Sequence, residues 1–246
     1  MTAFLATHGT SGLVLSLDDA VANERIVSEI KRGRYEASEL AIASRFVRES
    51  DRVLELGAGV GFISAGVMRN VGPAYYAAVE ADARLIAHIR ETHARNGVTG
   101  VEVINAAFTS DPDALARGAV DFTLHREFWR SGIGQTQPGS AETVSVPARD
   151  VSRFLDEQGI TVLIADIEGA ELELLRHIDT ARLEKIVLEL HPQRIGKAGV
   201  LEIFQILCAR GFAYNTALSE GSVVCFETVA RQSPEIGETV FSASRA

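Results

Sequence analysis

Short apolar runs alternate with stretches of helical periodicity along most of the chain. Five runs rich in β-branched residues predict strands, and the stretches between them, with apolar residues three and four positions apart, predict helices. The predicted strands are Arg52–Leu56, Ala74–Val79, Val101–Ile104, Thr161–Ala165 and Lys185–Leu190, and the predicted helices are Gly61–Asn70, Asp82–Asn96, Asp150–Gln158, Ala170–Ile178 and Lys197–Arg210. This alternation predicts an α/β fold whose sheet is mainly parallel, with helices on both faces.

The segments outside this alternation predict additional elements. Residues 20–50 have two stretches of helical spacing, which predict an N-terminal helical extension over residues 1–50 ahead of a main domain over 51–230. Residues 119–147 carry two strand-like runs around a polar middle, which predicts a hairpin or lid inserted beside the sheet. Runs at 212–217 and 222–228 predict a C-terminal antiparallel hairpin, and 231–246 reads as a loose tail.

Composition and charge narrow the class of protein. With 246 residues, 46% of them hydrophobic, the chain suits one large globular domain. A net charge of −9 argues against a nucleic-acid partner, because a phosphate backbone would be repelled. No apolar run approaches the roughly 20 residues of a membrane helix, so we expect a cytoplasmic protein without a membrane partner. Cys208 and Cys225 each lie in an apolar pattern and are expected to be buried, reduced thiols.

A glycine turn directly after the first predicted strand indicates a nucleotide-like cofactor. Gly57, Gly59 and Gly61 stand between a buried strand and a helix, where a Cβ would collide with a bound ligand. A dinucleotide fingerprint needs its third glycine at the position of Phe62, which disfavours NAD. The carboxylate of Glu55 ahead of the turn suits a cationic ligand better than a phosphate. S-adenosylmethionine carries an ammonium and a sulfonium, so it is the predicted cofactor.

Polar residues at later strand ends extend the predicted cofactor site. Glu80 ends the second strand at the distance from the glycine turn where a carboxylate accepts both ribose hydroxyls, although a loop glutamate can also be merely solvated. Asn105 follows the third strand, where its amide could bond adenine or simply form a turn. Because ligands bind beyond the carboxyl ends of parallel strands, one set of side chains is expected to converge there. That set is Glu55, Glu80, Asn105, Asp166 and Glu189.

Three carboxylates follow the fourth strand within six residues. Asp166, Glu168 and Glu171 surround Gly169 at the start of a helix, and such a cluster is costly unless it faces water, a cation or hydrogen-bond donors. It therefore indicates a functional site. The alternative is that Glu168 and Glu171 only favour the N-terminus of the helix, whose dipole stabilises negative charge.

With this motif the chain resembles the FkbM family of S-adenosylmethionine-dependent methyltransferases. The resemblance spans roughly residues 35–227 and rests on Tyr35-Glu36, the glycine loop at 55–61, Asn105-Ala106-Ala107, Asp166-x-Glu-Gly-Ala-Glu171 and Leu188-Glu-Leu-His-Pro192. It departs from the family at Ala165, where a lysine is common, and at Ala148-Arg149, where only the Asp150 of a Leu-Asp pair remains. The resemblance implies a Rossmann-like class I methyltransferase fold with a seven-stranded sheet, and O-methylation of a hydroxyl on a small-molecule or glycan acceptor.

An alcohol acceptor needs a base or a metal to take up its proton. His191, at the end of the fifth strand and expected to face Asp166, is the first candidate for the base; it could also just fix the turn at Pro192. Alternatively Asp166, Glu189 and His191 could ligate a hard divalent ion such as Mg²⁺. The candidate substrate contacts are Tyr35, Glu36, His125, Trp129 and Glu168.

Two other functions remain open at this stage. A nicotinamide-dependent oxidoreductase on a Rossmann-type sheet would keep the glycine turn, and a non-catalytic member would bind the cofactor without transferring a methyl group. The sequence also leaves open a homo-oligomer.

Overall fold

The computed structural model describes residues 3–125, 131–133 and 142–229. The predicted tail and Trp129 lie outside these ranges. The strands are β1 Phe4–Thr7, β2 Val14–Leu17, β3 Arg52–Leu56, β4 Tyr75–Glu80, β5 Val101–Asn105, β6 Ala107–Thr109, β7 Ala119–Leu124, β8 Gly132–Ile133, β9 Glu142–Asp150, β10 Val162–Ala165, β11 Lys185–Glu189, β12 Phe212–Tyr214 and β13 Val223–Thr228. The helices are α1 Glu24–Lys31, α2 Ala37–Phe46, α3 Phe62–Asn70, α4 Ile86–Arg95, α5 Pro112–Arg117, α6 Val151–Gln158, α7 Glu171–His177 and α8 Pro192–Ala209.

A seven-stranded sheet in the order β12-β13-β11-β10-β3-β4-β5 forms the centre of the fold. The five strands from β11 to β5 run parallel, and β13 is antiparallel to both of its neighbours. The mainly parallel sheet and the C-terminal antiparallel pair are as predicted. The strand order reverses between β3 and β10, which is where an open parallel sheet forms a crevice for ligands.

Helices cover both faces of this sheet. Successive side chains of each central strand point to opposite faces, and both sets are apolar and pack against helices. On β3, Val53 belongs to the core shared with α1 to α4, whereas Leu54 and Leu56 belong to the core shared with α6 to α8. Strand β10 repeats the alternation with Ile164 on the first face and Leu163 on the second. This two-residue period is what a strand buried on both sides requires.

The N-terminal extension is not only helical, which corrects the prediction for residues 1–50. The two predicted helices are present as α1 and α2, but a β1–β2 hairpin precedes them. Side chains at the end of α4 bond the free edge of β2: Asn96, directly after the helix, exchanges hydrogen bonds of 3.0 and 2.8 Å with the main chain of Val14, and Thr92 accepts from the amide of Ser16 at 3.0 Å. Helix side chains thus satisfy polar groups that a third strand would otherwise pair.

The predicted hairpin insertion is a small second sheet. Strands β7 and β9 pair antiparallel, as expected, and β6 and β8 extend them to the order β6-β9-β7-β8. Strand β6 and helix α5 were not predicted, because each is short and carries no clear periodicity. Residues 126–130 and 134–141, which belong to the predicted hairpin or lid, lie outside the described residues.

Two further details differ from the sequence expectation. Helix α8 begins at Pro192 rather than Lys197, with a kink at Gly196, whose φ is +68°. The expectation of two buried thiols was half wrong: Cys225 is buried, but Cys208 on α8 is exposed. In the described ranges, no helix combines the length and the apolar character needed to cross a membrane.

Candidate active site

A cleft opens at the carboxyl ends of the central strands, where the strand order reverses. It spans about 770 Å³ of space between protein atoms, part of it open to solvent. One part is apolar and the other carries carboxylates. The described lining residues include Leu56, Gly57, Gly59, Val79, Glu80, Leu85, Ala106, Ala107, Phe108, Phe122, Ile133, Asp166, Ile167 and Glu168, together with Glu36 from the start of α2.

The three glycines of the turn serve different purposes. A Cβ on Gly57 would collide with the carbonyl oxygen of Asp166, so this glycine allows β10 to approach the turn. At Gly61 a Cβ would press against Ile89 of α4. The expectation that each of the three glycines makes room for a ligand is therefore wrong for Gly57 and Gly61. The chain itself occupies the space where a Cβ atom of either residue would lie. Gly57 and Gly59 line the cleft, and their φ angles of +85° and +53° favour glycine.

The carboxylate of Glu80 is fixed against the turn. Its Oε2 accepts from the amide of Gly59 at 2.9 Å, and its Oε1 accepts from the amide of Asp82 at 2.8 Å. Each oxygen keeps a lone pair for another donor, such as a ribose hydroxyl. Burial raises the pKa of Glu80 to about 7. Asn105 does not line the cleft; its Nδ2 donates to the carbonyls of Glu80 and Ala81 and fixes the end of β4.

Glu55 lies in a smaller cavity next to the cleft. Only 2% of the residue is exposed, and its Oε2 has no hydrogen-bond partner. Burial raises the pKa of Glu55 to about 7. The cavity also contains Glu36 and Asp166, which the cleft shares, so Glu55 lies beside the acidic end of the cleft rather than within it.

The acidic motif and the histidine converge as predicted. The Nε2 of His191 lies 3.5 Å from Oδ1 of Asp166 and 3.7 Å from Oε2 of Glu168. Its Nδ1 is 3.0 Å from Oε1 of Glu171. The same Glu171 oxygen accepts from the amides of Ile167 and Gly169 at 3.2 and 3.1 Å. Glu171, fully buried, therefore orients both the histidine and the loop.

Sequence reasoning undervalued Glu171 and missed Arg194. Glu171 was weighed mainly as a residue that favours a helix N-terminus, but its side chain turns back to the loop and the histidine. The Nη2 of Arg194 in α8 is 3.2 Å from Oε2 of Glu168, and a Cβ on Gly169 would press against the Arg194 side chain. The only sequence signal for Arg194 was its position one helical turn after His191.

Two carboxylates of the cleft have strained backbones. Glu36 and Glu168 have φ angles of +46° and +53°, and they are the non-glycine residues with positive φ in the described part of the chain. Such conformations cost of order 1–3 kcal/mol and concentrate at functional sites. Both residues line the cleft.

The electrostatics of this end of the cleft are strongly negative. Burial raises the pKa of Asp166 well above its usual value, and the nearby charges of Glu189 and Glu36 raise it further. Burial lowers the pKa of His191, but the hydrogen bond and charge of Glu171 outweigh this, so the pKa lies above its usual value. This end therefore suits a proton, a cation or a cationic part of a ligand.

The other candidate substrate residues lie around the site. The Tyr35 ring packs against the Phe62 ring with 5.6 Å between centroids, and the following residue, Glu36, lines the cleft. His125 takes part through its main chain: its carbonyl accepts from Arg84, and its amide donates to Ser131, which lines the cleft. The proposed metal ligands do come together, since ligand atoms of Asp166, Glu189 and His191 all lie within 4.8 Å of one another.

Comparison with known proteins identifies the family. The methyltransferase FkbM domain matches residues 72–214, which is more than half of the chain. The chain belongs to the FkbM methyltransferase family. The predicted resemblance is thereby confirmed, and the matched residues include the motif at 166–171.

More distant similarities agree with a methyltransferase. The chain is 30% identical over 166 residues to the 23S rRNA (uracil(1939)-C(5))-methyltransferase RlmD of Xanthomonas campestris pv. campestris (strain 8004), covering 60% of this chain and 34% of that protein. The RlmD of Stenotrophomonas maltophilia (strain K279a) is 29% identical over 158 residues, covering 57% and 32%. The chain thus spans about a third of the length of these relatives.

The fold itself recurs among solved structures. Trm5b from Pyrococcus abyssi matches with a TM-score of 0.50 at 12% identity, covering 92% of this chain and 56% of that chain. At this identity the similarity concerns the fold alone.

Proposed function

We propose that this FkbM family member transfers the methyl group of S-adenosylmethionine to a hydroxyl group of a small-molecule or glycan acceptor. The observation that carries the proposal is that one cleft joins the glycine turn and Glu80 to the carboxylates of Asp166 and Glu168, which lie 3.5 and 3.7 Å from Nε2 of His191. A histidine held by the buried Glu171 thus lies directly beside the acidic end of the cofactor cleft.

The residues of the cleft fit S-adenosylmethionine part by part. The apolar wall formed by Ala106, Ala107 and Phe108 suits adenine, and Glu80 offers lone pairs to the ribose hydroxyls. The acidic end at Glu36 and Asp166 suits the ammonium and sulfonium groups. When bound, this cofactor supplies an activated methyl group.

His191 is the proposed proton acceptor. With its Nδ1 proton donated to Glu171, the Nε2 lone pair is directed to Asp166 and Glu168, at the acidic end of the cleft. During methyl transfer to the acceptor oxygen, Nε2 would take up the hydroxyl proton. Glu171 then stabilises the imidazolium, and S-adenosylhomocysteine remains.

The acceptor class follows from charge. The net charge of −9 and the carboxylates at the acidic end favour a neutral or cationic acceptor over a polyanion. The RlmD relatives act on 23S rRNA according to their names, so RNA is the competing acceptor. The negative charge of this chain is the reason for preferring a hydroxyl on a sugar or other small molecule.

The test is a methyl-transfer assay with tritium-labelled S-adenosylmethionine and a panel of sugars, polyols, phenols, amines and a uracil-containing RNA. We expect labelled ethers from one class of hydroxyl compound, and none from RNA. Methylation of RNA alone would refute the proposed acceptor, and cofactor binding with no transfer to any class would favour a non-catalytic member.

A pair of histidine variants tests the role of the base. His191→Gln should lower kcat by about 10²–10⁴ while the affinity for S-adenosylhomocysteine stays within a few-fold. His177→Gln changes an exposed histidine on α7 and should leave kcat unchanged. Equal effects of the two substitutions would contradict the role of His191.

A further inference from the structure

A small acidic cavity lies on the side of Asp166 away from the apolar wall. It contains about 410 Å³, part of it open to solvent. None of its described lining residues is basic, and five of them carry a carboxylate: Glu36, Glu39, Glu55, Asp166 and Glu189. So many carboxylates in one partly enclosed space repel one another unless something positive lies among them.

Two residues that line this space, Asp166 and Glu189, form the arrangement of a cation site together with the neighbouring His191. Ligand atoms of Asp166, Glu189 and His191 lie within 4.8 Å of one another. His191 is 5% exposed and its Nδ1 points to Glu171, so its Nε2 faces Oδ1 of Asp166 at 3.5 Å. A carboxylate that holds the second nitrogen of a histidine is the usual outer partner of a metal-binding imidazole.

Unpartnered oxygens provide an independent indication of a ligand. Glu55 is 2% exposed and lines the cavity; its Oε2 makes no well-formed hydrogen bond, and the nearby Tyr76 and Ser64 offset only part of the rise in its pKa that burial causes. The Oδ1 of Asp166 is likewise buried and makes no hydrogen bond, although it faces Nε2 of His191 at 3.5 Å. Buried carboxylate oxygens are rarely left so, because each loses its hydration without compensation.

We propose that Asp166, Glu189 and His191 bind one divalent cation. Two carboxylates and one imidazole make a mixed oxygen and nitrogen set, which suits Mn²⁺ better than Mg²⁺ because Mg²⁺ prefers oxygen ligands. The competing state is a metal-free network in which a protonated His191 alone balances the carboxylates.

The inference rests on the proposed function and changes one part of it, the identity of the group that takes the hydroxyl proton. A divalent ion there would make a neighbouring acceptor hydroxyl more acidic. Nε2 of His191 would then be a ligand, and Glu168, whose Oε2 is 3.7 Å from that nitrogen, would take the hydroxyl proton. Loss of activity in His191→Gln is expected in either case, so the test measures metal binding itself.

The experiment titrates the metal-stripped, full-length protein with MnCl₂, without cofactor or acceptor, and follows free Mn²⁺ by electron paramagnetic resonance. We expect one Mn²⁺ per chain and electron spin-echo modulation from an imidazole nitrogen. Glu189→Gln should weaken binding at least about tenfold and keep the nitrogen modulation, whereas His191→Gln should weaken binding and lose it. His177→Gln and Glu202→Gln, both exposed, should bind as the wild type does.

Several outcomes would overturn the site. These are the absence of stoichiometric binding, a bound ion without nitrogen modulation in the wild type, and binding unaffected by His191→Gln. The modulation is measured on the wild type, so the test stands even if a buried substitution prevents folding. Binding of S-adenosylhomocysteine to the wild type is measured separately. Mn²⁺ binding without binding of S-adenosylhomocysteine would contradict the proposed function alone, whereas binding of S-adenosylhomocysteine without Mn²⁺ binding would contradict the ion site alone.

Discussion

Replacing Glu55 by glutamine should stabilise the ligand-free protein at alkaline pH. Glu55 is 2% exposed on β3, its Oε2 has no hydrogen-bond partner, and burial raises its pKa from 4.5 to about 7. The unfolded chain ionises this group near its ordinary pKa, whereas the folded chain resists ionisation. The folded state therefore loses stability as the pH rises from 4.5 to 7, and the loss is complete above pH 7.

The magnitude follows from the size of the shift. Raising a pKa from 4.5 to about 7 corresponds to ~3 kcal/mol at about 1.4 kcal/mol per unit. At pH 5.5 about 1.4 kcal/mol of this cost is already present, because the unfolded carboxylate is largely ionised there. Glu55→Gln keeps the shape and removes the charge. The difference in free energy of unfolding between variant and wild type should therefore grow by ~2 kcal/mol between pH 5.5 and 8.5.

The assay is urea unfolding followed by circular dichroism at these two pH values. Glu91→Gln is the matched control, since Glu91 is 42% exposed on α4 and pairs with Arg95; its effect should stay within about 0.5 kcal/mol at both values. A difference for Glu55→Gln that does not change with pH, or a loss of stability at pH 8.5, would refute the reasoning.

Three further predictions concern other parts of the structure. Gly57→Ala should lower the free energy of unfolding, measured in urea, by at least ~2 kcal/mol because the new Cβ would collide with the carbonyl of Asp166. Gly97→Ala, where the Cβ would lie in open space, should lower it by about 1 kcal/mol. Equal losses would contradict the packing role of Gly57. Lys185→Met should lower the free energy of unfolding by about 3–5 kcal/mol in the same assay, because the buried carboxylate of Asp51 loses the Lys185 ammonium 2.6 Å away. A loss below about 1 kcal/mol would contradict the importance of this ion pair. The affinity for S-adenosylhomocysteine, measured by calorimetry, should fall about tenfold from pH 8 to pH 6, because Glu80, with a pKa of about 7, becomes protonated over this range. An affinity that does not change with pH would contradict the role of Glu80 in cofactor binding.

Much of the fold could be predicted because local pattern and tertiary environment agree. The runs at β3, β4 and β10 are apolar on both faces of a covered sheet, so composition alone marked them as strands. The N-terminal hairpin could not be found in this way. Its four-residue strands are too short for a period to emerge, and their edge is completed by α4, more than 70 residues further along the chain.

The candidate site was predictable where it depends on strand ends and obscure where it depends on side-chain direction. Asp166, Glu189 and His191 were placed together because parallel strands end at one edge of the sheet. The turn of Glu171 back to His191, and the ion pair of Arg194 with Glu168, depend on the path of the loop between β10 and α7. The collision that makes Gly57 necessary involves β10, which is distant in sequence, so local pattern suggested a ligand instead.

The most direct test of the central claim is calorimetric titration of the purified chain with S-adenosylhomocysteine and, in parallel, with NAD⁺ and NADH. A methyltransferase cleft built on the glycine turn and Glu80 predicts one molecule of S-adenosylhomocysteine bound per chain, abolished in Glu80→Ala, and no binding of either nicotinamide cofactor. Binding of NAD⁺ or NADH without binding of S-adenosylhomocysteine would contradict the account.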